Sequence, residues 1–385
     1  MTVKVEPTEF STYLKMLQPA LDVKGILPIL SYLCFGESEE HGPWALAYND
    51  SLGIVVFNEA FEDLECAVPG DILIRSLGTF YSQVEFEQDK DSLVIKQGKT
   101  RMKLPILDAS SYLFAPPDEV DGEIIYGEDT AGVAVPLDGE ALKAMEMLVK
   151  VSGENPMYDV QLGITIDHVG DAMHLYSTDN KTLTKITIED HETESGEVQA
   201  NLPLGFCKQV LSLARNFGYD KEGEVMLYID EESEQAFCLF LDASRKYLAA
   251  CAFTKLNLSV DVEAFEDVLG HNAIGKIKPV APPLGLDDCL NRASIVAGKD
   301  SSDSRIEVTL KDSFMHLRAE AFGSEVKDAL PFKGPGMHTH VFISAPNWLR
   351  GLEFEPKKMA ILPHSIYLKS EVGNTIIEHL VATTS

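Results

Sequence analysis

Three stretches of the chain share one pattern, in which strand-like runs of alternating apolar and polar residues flank a polar turn. The stretches are WALAYNDSLGIVVF (44–57), MHLYSTDNKTLTKI (173–186) and FMHLRAEAFGSEVKDAL (314–330). Alternation with a period of two predicts a half-buried strand, and two such runs around a short turn predict a hairpin. Leu46, Leu175 and Leu317 hold equivalent positions, so the spacings are 175 − 46 = 129 and 317 − 175 = 142 residues. Each spacing is close to a third of the 385-residue chain, which indicates a three-fold repeat.

Each hairpin is flanked by two helical patterns. The preceding ones are PTEFSTYLKMLQPAL (7–21), PLDGEALKAMEMLVKV (136–151) and GLDDCLNRASIVAG (285–298). The following ones are DILIRSLGTFYSQV (71–84), PLGFCKQVLSLARNF (203–217) and SAPNWLRGLEF (344–354). They begin at nearly constant distances after Leu46, Leu175 and Leu317, namely 71 − 46 = 25, 203 − 175 = 28 and 344 − 317 = 27 residues. Apolar residues at helical spacing, such as Phe10, Leu14 and Leu17, predict amphipathic helices.

The remainder of each repeat has the composition of strands separated by polar turns. The predicted unit is therefore a helix, three or four strands, a second helix and about four strands. Strands in hairpin runs exclude the alternating parallel type of sheet, so we predict an α+β fold in which two helices pack on antiparallel sheets in each of three similar domains. The predicted boundaries are 1–127, 128–258 and 259–385, with candidate linkers at 116–129 and 262–283.

Composition describes an ordinary globular protein, with 45% hydrophobic and 24% charged residues. The first residues, MTVKVEPTEF, lack a charged segment followed by an apolar one, and no run of about 18 apolar residues occurs. We therefore expect a soluble protein in the cytoplasm, with no membrane partner. Six scattered cysteines without a CxxC pair predict buried free thiols rather than disulfides or a zinc site.

The distribution of charge points to one kind of partner. A net charge of −29 excludes a generic nucleic-acid coat, because binding polyphosphate requires local positive charge. Beyond their first turns, however, the six predicted helices carry only two acids, Glu146 and Glu353, against eight bases. These bases are Lys15, Arg75, Lys143, Lys150, Lys208, Arg215, Arg292 and Arg350. Any single one is explained by a solvated face, but the set predicts a surface that follows a phosphate backbone without reading sequence.

Short sequence segments along nearly the whole chain resemble segments of the bacterial beta sliding clamps, the processivity factors of replicative DNA polymerases. GILPILSYLCF (25–35) looks like the Leu-Pro-Ile-Leu strand that follows the family's first helix, and RMKLPILDASSYLF (101–114) like the end of its first domain. LYSTDNKTL (175–183) resembles the family's Ala-Thr-Asp-Gly-x-x-Leu segment, and LNRASIVAG (290–298) its Arg-Ala-Ala-Ile-Leu segment. The order of these segments coincides with the repeat.

The resemblance implies a head-to-tail homodimeric ring of six domains, whose twelve helices surround double-stranded DNA and whose partners include a DNA polymerase and a clamp loader. It implies neither catalysis nor a cofactor or metal. Lys24 matches a position that contacts DNA in the family, although from the residues alone it is equally an ordinary lysine in a turn. The subunit interface of the family maps onto Met102 and Leu104 of the first domain and onto Ile295 and Val296 of the third. From the residues alone, all four are explained as ordinary core residues, and only the resemblance favours an interface.

In the family, partner peptides bind an apolar pocket between the second and third domains. The matching positions are Thr178, Asp179, Asn180, Lys181, Thr182, Leu183, Ser344, Asn347, Trp348 and Val381. Trp348 is either a pocket wall or a core anchor. The family's glycine and basic pair are replaced by Asn180, Lys181 and Thr182, and its C-terminus by LVATTS, in which Leu380, Val381 and Ala382 could line a differently shaped pocket. These departures fit a divergent member from a bacterium or a virus that infects one.

Two other classes of function have less support in the sequence. An enzyme is disfavoured by the absence of nucleotide-binding, nucleophile-elbow and zinc-protease motifs. His338 and His340 have a spacing that some metal sites use, yet surface histidines on a strand are the simpler interpretation. The acidic stretch IEDHETESGE (188–197) is best explained as a solvated loop. The alternative outside catalysis is a structural assembly protein built from three repeated domains, which would need no basic helical face.

Overall fold

The structure is a computed structural model, and it describes the chain except residues 1, 23, 25–26, 40, 50, 113–117, 121–122, 126–131, 153–162, 180, 192–195, 220–223, 231–233, 242–247, 258–260, 272–277, 299–304, 335–338, 363 and 385. The chain has two compact units. Unit 1 consists mainly of Met1–Leu142 and Gly205–Leu256, and unit 2 mainly of Lys143–Glu192, Gly196–Leu204 and Asn257–Ser385.

Among its described residues, the first repeat contains two α-helices and eight strands. They are β1 (Thr2–Val5), α1 (Pro7–Leu17), β2 (Tyr32–Ser38), β3 (Gly42–Asn49), β4 (Leu52–Phe57), β5 (Cys66–Pro69), α2 (Gly70–Leu77), β6 (Val84–Asp89), β7 (Ser92–Gln97) and β8 (Thr100–Pro105). Two corrections apply. The Leu-Pro-Ile-Leu segment forms a 3₁₀ turn at Pro28–Ser31 before β2 begins, and α2 ends at Leu77, short of the predicted 84.

The second repeat has the same order. After the short hairpin of β9 (Asp118–Val120) and β10 (Glu123–Ile125), it contains β11 (Val133–Pro136), α3 (Gly139–Val151), β12 (Gly163–Val169), β13 (Ala172–Thr178), β14 (Thr182–Glu189), β15 (Val198–Pro203), α4 (Leu204–Phe217), β16 (Glu224–Asp230), β17 (Gln235–Leu241) and β18 (Leu248–Lys255).

The third repeat follows a helix that the sequence pattern did not predict. This helix, α5 (Val262–His271), lies in the segment 262–283 that was predicted to be a linker. The repeat itself contains α6 (Leu286–Ala297), β19 (Arg305–Lys311), β20 (Phe314–Ala321), β21 (Ser324–Pro331), β22 (His340–Ser344), α7 (Ala345–Leu352), β23 (Lys358–Ile361), β24 (Ser365–Val372) and β25 (Thr375–Thr384).

The three hairpins that revealed the repeat are equivalent in the structure. They are the antiparallel pairs β3–β4, β13–β14 and β20–β21, and the marker leucines Leu46, Leu175 and Leu317 are buried at 0%, 0% and 2% exposure. The α+β class, the two helices per repeat and the three-fold repeat are thereby confirmed.

Strand pairing obeys one rule in every repeat. Three strands form the hairpin sheet, such as β2–β3–β4, and three more follow the second helix, such as β16–β17–β18. The last strand of a repeat pairs with the third strand of the hairpin sheet in the preceding repeat: β18 pairs with β4 inside unit 1, and β25 pairs with β14 inside unit 2. The sheets therefore run continuously from one repeat into the one before it. The boundaries 1–127, 128–258 and 259–385 remain predictions.

The helices form for the reasons that the sequence indicates. α1 begins with Pro7, has Glu9 in its first turn and buries Phe10, Leu14 and Leu17 completely, at positions i, i+4 and i+7. Phe10 makes edge contacts with the rings of Phe61 and Phe86, with centroid distances of 5.3 Å in both cases. In unit 2, a core cluster that contains Trp348 lies between α6, α7 and the sheet.

All six cysteines are free and buried, as the sequence predicted. Burial raises the pKa of Cys34 and of Cys66 to about 12, with the neighbouring Cys66 thiol and Asp108 adding to the shift at Cys34. Thiols with such pKa values stay protonated near neutral pH, so they pack as small apolar side chains.

Candidate nucleic-acid and partner interfaces

The bases predicted to contact DNA lie on the solvent-facing sides of the repeat helices. Lys208 and Arg215 are exposed on α4, two turns apart, while the opposite side of this helix buries Phe206, Val210 and Ala214. The other exposed members of the set are Lys15, Arg75, Lys143, Lys150 and Arg292, and Arg350 is half-buried. Lys24 is exposed in the turn that follows α1, where its backbone N–H donates to Asp22 Oδ1 at 3.3 Å.

Four of these bases are already paired with carboxylates. Arg75 pairs with Asp71, and Lys150 Nζ lies 3.0 Å from Glu146 Oε1; both partners are four residues back on the same helix. Arg292 Nη2 and Nε donate to the two Asp328 carboxylate oxygens at 3.0 and 3.2 Å, and Arg350 Nη1 lies 3.7 Å from Asp179 Oδ2. The charge that these four offer to an external phosphate is therefore reduced.

The signal for this pairing is only partly present in the sequence. The (i, i+4) spacing of Asp71 with Arg75 and of Glu146 with Lys150 could have been recognised in advance. The partners of Arg292 and Arg350 are set by tertiary structure, because Asp328 lies on β21 and Asp179 in a hairpin turn far away in sequence.

The four predicted interface residues lie on or beside two sheet edges. Met102 is half-buried and Leu104 is 3% exposed on β8, the last strand of its sheet. Ile295, 69% exposed, and the half-buried Val296 lie on α6, which packs on β20 and β21. Ile295 and Met102 thus offer apolar surface to a partner, whereas Leu104 packs inside its own protomer.

The turn between β13 and β14 is organised by one carboxylate. Asp179 Oδ1 accepts hydrogen bonds from the backbone N–H of Lys181 at 3.1 Å and from the N–H and hydroxyl of Thr182, each at 2.7 Å. The Thr178 hydroxyl donates to the Thr182 carbonyl at 2.8 Å, and the Lys181 carbonyl accepts from the N–H of Ala382 at 2.7 Å. The turn and the end of β25 are thereby held together. Asn180, also predicted in this pocket, lies outside the described residues.

The register of β14 and β25 separates the predicted pocket residues onto two faces of the sheet. Thr182 is opposite Val381 and Leu183 is opposite Leu380, so these two pairs point to opposite faces. Val381 is fully buried and belongs to the same core cluster as Trp348. Trp348 was predicted to be either a pocket wall or a core anchor, and because its side chain is 0% exposed it lies in the structure as a core anchor.

The other predicted pocket residues on α7 also lie inward. Asn347 is 7% exposed, and Ser344 is the half-buried residue that precedes α7. On the β14–β25 face opposite Val381, Leu183 and Leu380 form an apolar cluster with Tyr176 and Tyr367. The sequence prediction did not include Tyr176 and Tyr367. Alternation of side chains along each strand places both tyrosines on the same face of the sheet as Leu183.

The histidine and acidic positions considered for other functions are accounted for differently. His340 Nε2 lies 2.8 Å from Glu307 Oε1 on the neighbouring strand, and His338 lies outside the described residues. Within 188–197, the described His191 is buried and its carbonyl lies 2.8 Å from His168 Nε2. The described residues contain no group of three or more His, Cys, Asp or Glu side chains that could hold a metal ion. Among the described helices, none is long and apolar enough to cross a membrane.

Comparisons with known proteins give a consistent result at the level of structure. No family model matches the chain, and no curated protein sequence matches it. The crystal structure of a putative DNA polymerase III beta subunit from Eubacterium rectale is similar, with a TM-score of 0.80, 15% identity and coverage of 100% of both chains. The Helicobacter pylori beta clamp in complex with 3,4-difluorobenzamide gives a TM-score of 0.79 at 18% identity, and the same clamp bound to a DNA ligase peptide gives 0.75 at 17%, each with 100% coverage of both chains. The chain therefore has the three-domain fold of the DNA polymerase III beta sliding clamps.

Proposed function

We propose that this chain is a DNA sliding clamp, which closes with a second copy into a head-to-tail ring around duplex DNA and tethers a replicative polymerase. The observation that carries the proposal is the strand-pairing rule of the repeat. β18 and β25 are the last strands of the second and third repeats. Each pairs with the third strand of the hairpin sheet in the repeat before, which is β4 for β18 and β14 for β25. The last strand of the first repeat, β8, has no such partner among the described strands.

Applied to the ends of the chain, the rule supports self-association. In the described part of the chain, β8 has β7 as its one neighbour and β21 has β20 as its one neighbour, although their counterparts in the other repeats have at least two. An open edge strand is a template for pairing with another chain. If β8 of one copy pairs with β21 of another, and the reverse pair forms as well, two chains close a ring in which every repeat follows the same pairing rule.

The apolar residues near these edges support the same contact. Ile295 and Met102 would pack against apolar side chains of the other copy across the junction. Val296 and Leu104 would lie beneath them, each within its own copy. In solution this interface predicts a particle of about twice 42.4 kDa. We expect Ile295→Glu to give monomers at micromolar concentration, while Val372→Glu, an equally crude change at a 59% exposed apolar residue of β24, leaves the dimer intact. A wild-type monomer, or a large shell, would contradict the ring.

The DNA contacts would come from the helices. A strongly acidic chain repels DNA from most of its surface, so a ring of this kind holds duplex DNA loosely at the basic helix faces and can slide. Lys15, Lys143 and Lys208 are exposed without a carboxylate partner among the described contacts, and we assign them the larger share of phosphate contacts. Lys24 and Arg215, which are also exposed, are proposed as further contacts. The paired bases Arg75, Lys150, Arg292 and Arg350 contribute less.

Partner binding is proposed at the β13–β14 turn and the end of β25, where Lys181 is exposed, Thr178 is half-buried and Leu183 is buried. The similar Helicobacter pylori clamp bound to a DNA ligase peptide supports a peptide site in this fold. The partners we propose are a DNA polymerase and a clamp loader, and the chain itself catalyses no reaction and uses no cofactor. Fluorescence anisotropy with the C-terminal peptide of the cognate polymerase tests the site: Leu183→Glu should abolish binding, and unchanged affinity would contradict the assignment.

A further inference from the structure

The turn of the β20–β21 hairpin carries the most exposed large apolar side chain of the described residues. The hairpin closes at the pair of Ala321 and Ser324, so Phe322 and Gly323 form a two-residue turn. Phe322 is 108% exposed, and nothing in its own protomer buries its ring. A single apolar side chain on a surface is ordinary, but the backbone beneath this one is not.

Phe322 has a backbone conformation that bulky residues avoid. Its φ is 50° and that of Gly323 is 82°, so both central residues have the positive φ of a type I′ hairpin turn. Such turns favour Asn-Gly, because asparagine and glycine adopt positive φ readily, whereas a large side chain in this region is rare. A strained turn that holds an exposed Phe indicates a contact outside the protomer.

The equivalent turns of the other two repeats each contact a strand of the following repeat. In unit 1, the carbonyl of Ser51, in the β3–β4 turn, accepts a hydrogen bond from the Thr254 hydroxyl at 2.7 Å, near the end of β18. In unit 2, the carbonyl of Lys181, in the β13–β14 turn, accepts one from the N–H of Ala382 at 2.7 Å, near the end of β25. At both junctions, the hairpin turn thus lies against the end of the last strand of the next repeat.

The β20–β21 turn follows the same rule if the proposed ring closes. Its strand β21 has one neighbour among the described strands, and the strand proposed to pair with it is β8 of a second copy. The Phe322 turn then lies against the end of that β8. The chain is apolar there, since Pro105 is exposed, Ile106 is half-buried and Leu107 is 41% exposed. Two exposed apolar features, one beside each open edge, therefore come together.

Both features are held in place before they meet. Leu107 exchanges two backbone hydrogen bonds with Ala67, at 2.8 and 2.9 Å, so its backbone is fixed while its side chain is exposed. Beside the turn, Arg318 Nε donates to Glu325 Oε1 at 2.7 Å, which ties β20 to β21, and Arg318 Nη2 donates to Glu320 Oε2 at 2.5 Å. Little conformational freedom is therefore lost when the two surfaces pack.

We propose that Phe322 anchors the contact between two copies: its ring packs on Leu107 at the end of β8 in the other copy and sets how long the ring stays closed. This contact rests on the proposed ring and adds to it a residue outside the four mapped interface positions. A few well-packed aromatic residues commonly carry most of the binding energy of an interface. Because changes in affinity among variants of one interface appear mainly in the dissociation rate, loss of Phe322 should speed the exchange of subunits.

Substitution with asparagine separates the interface from the local turn. Asn-Gly is a favoured type I′ pair, so Phe322→Asn should leave the midpoint of urea unfolding of unit 2 unchanged or higher. In sedimentation at a series of dilutions, the same variant should raise the dissociation constant of the dimer at least about ten-fold, because the anchor is lost. Phe322→Tyr keeps the ring and should retain the wild-type value.

The matched control changes an equally exposed apolar residue to asparagine. Leu284 is 96% exposed and follows Val280, which pairs with Met359 of β23 rather than with either open edge. Leu284→Asn should therefore leave the dissociation constant of the dimer at the wild-type value.

A cross-link tests the position of the contact. In the double variant Phe322→Cys, Leu107→Cys, a short bis-maleimide should give a covalent dimer of about twice 42.4 kDa. The six native cysteines are buried and should not react, so wild type provides the background. Phe322→Cys combined with Val372→Cys, at a 59% exposed position of β24, should give no covalent dimer.

The outcomes distinguish this contact from the ring itself. If wild type is a dimer but Phe322→Asn dissociates no more readily, or if the Phe322→Cys, Leu107→Cys variant gives no covalent dimer, the contact is wrong and the ring stands. If wild type is a monomer, the ring and the contact fail together. A weaker dimer in Phe322→Asn with unfolding unchanged, together with the cross-link, supports the contact.

Discussion

His379 provides a quantitative prediction about stability and pH. It lies on β25, is 1% exposed, and its Nδ1 is 2.8 Å from the Thr184 hydroxyl, while its ring makes an edge contact with Phe354 at 5.5 Å. Burial, with a smaller contribution from the nearby Arg350 charge, lowers the pKa of His379 to about 4, and a backbone hydrogen bond with Asn347 only partly offsets the shift. The imidazole is therefore neutral in the folded protein throughout the usual pH range.

The sign of the effect follows from the direction of the shift. In the unfolded chain, the histidine takes up a proton below a pKa of about 6.5, whereas the folded chain resists protonation until about pH 4. The free energy of unfolding is therefore unaffected above the unfolded pKa and falls as the pH drops from about 6.5 toward 4. Between pH 7.5 and pH 5.0, this one group removes ~2 kcal/mol of stability.

The assay is urea unfolding followed by tryptophan fluorescence. In a Trp44→Phe background, the remaining Trp348 reports on unit 2, the unit that contains His379. His379→Gln can keep the hydrogen bond to Thr184 but cannot ionise, so its stability loss between pH 7.5 and 5.0 should be smaller by ~2 kcal/mol. The control is His316→Gln, at an exposed position of β20. An equal loss in His379→Gln and in the background protein would refute the reasoning.

Three further predictions concern charge and the partner site. Changing Lys143 and Lys208 to Glu should lower the slope of log binding constant against log salt concentration for DNA by about 0.9 for each phosphate that is no longer neutralised. Lys255→Glu, at an exposed position of β18, is the control and should leave that slope unchanged. Equal slopes in the two variants would contradict the assignment. Arg292→Gln should change that slope less than Lys143→Gln, because Asp328 already pairs with Arg292; a larger effect would mean that the pair opens on DNA. Asp179→Ala removes three accepted hydrogen bonds and should destabilise unit 2 by ~1–3 kcal/mol in urea unfolding; an unchanged midpoint would show that the turn does not need them.

Much of the fold was predictable because the repeat appears in the sequence three times. The period-two runs around Leu46, Leu175 and Leu317 locate the hairpins, and the apolar stripes of the six repeat helices locate the helices. The pairing of β4 with β18 could not be inferred from these patterns. It depends on contacts between residues about 200 positions apart, such as Ile54 and Ala252, which no local periodicity encodes.

The helix α5 was missed for a physical reason. Val262, Phe265 and Leu269 have helical spacing, yet the segment is acidic, short and followed by glycines and prolines, which are typical of a linker. Its stability comes from packing on Tyr176, Leu183, Tyr367 and Leu380 rather than from its own propensity. A seventh helix that carries Glu263, Glu266 and Asp267 and no lysine or arginine also differs from the six repeat helices.

The partner site was only partly predictable. The order of the segment from Thr178 to Leu183 identified the turn, but the side-chain directions at β25 depend on register. A shift of one residue exchanges Val381, which faces the core with Trp348, for Leu380, which faces α5. No feature of the sequence alone fixes that register.

The central claim, a ring that encircles DNA, is tested most directly by retention on DNA of different topology. The protein is loaded with its cognate clamp loader onto a nicked circular plasmid and separated from free protein by gel filtration, before and after the plasmid is cut once with a restriction enzyme. The protein should stay with the circle and be lost from the linear product, because a ring held by topology slides off free ends. Equal retention on circular and linear DNA would contradict the ring.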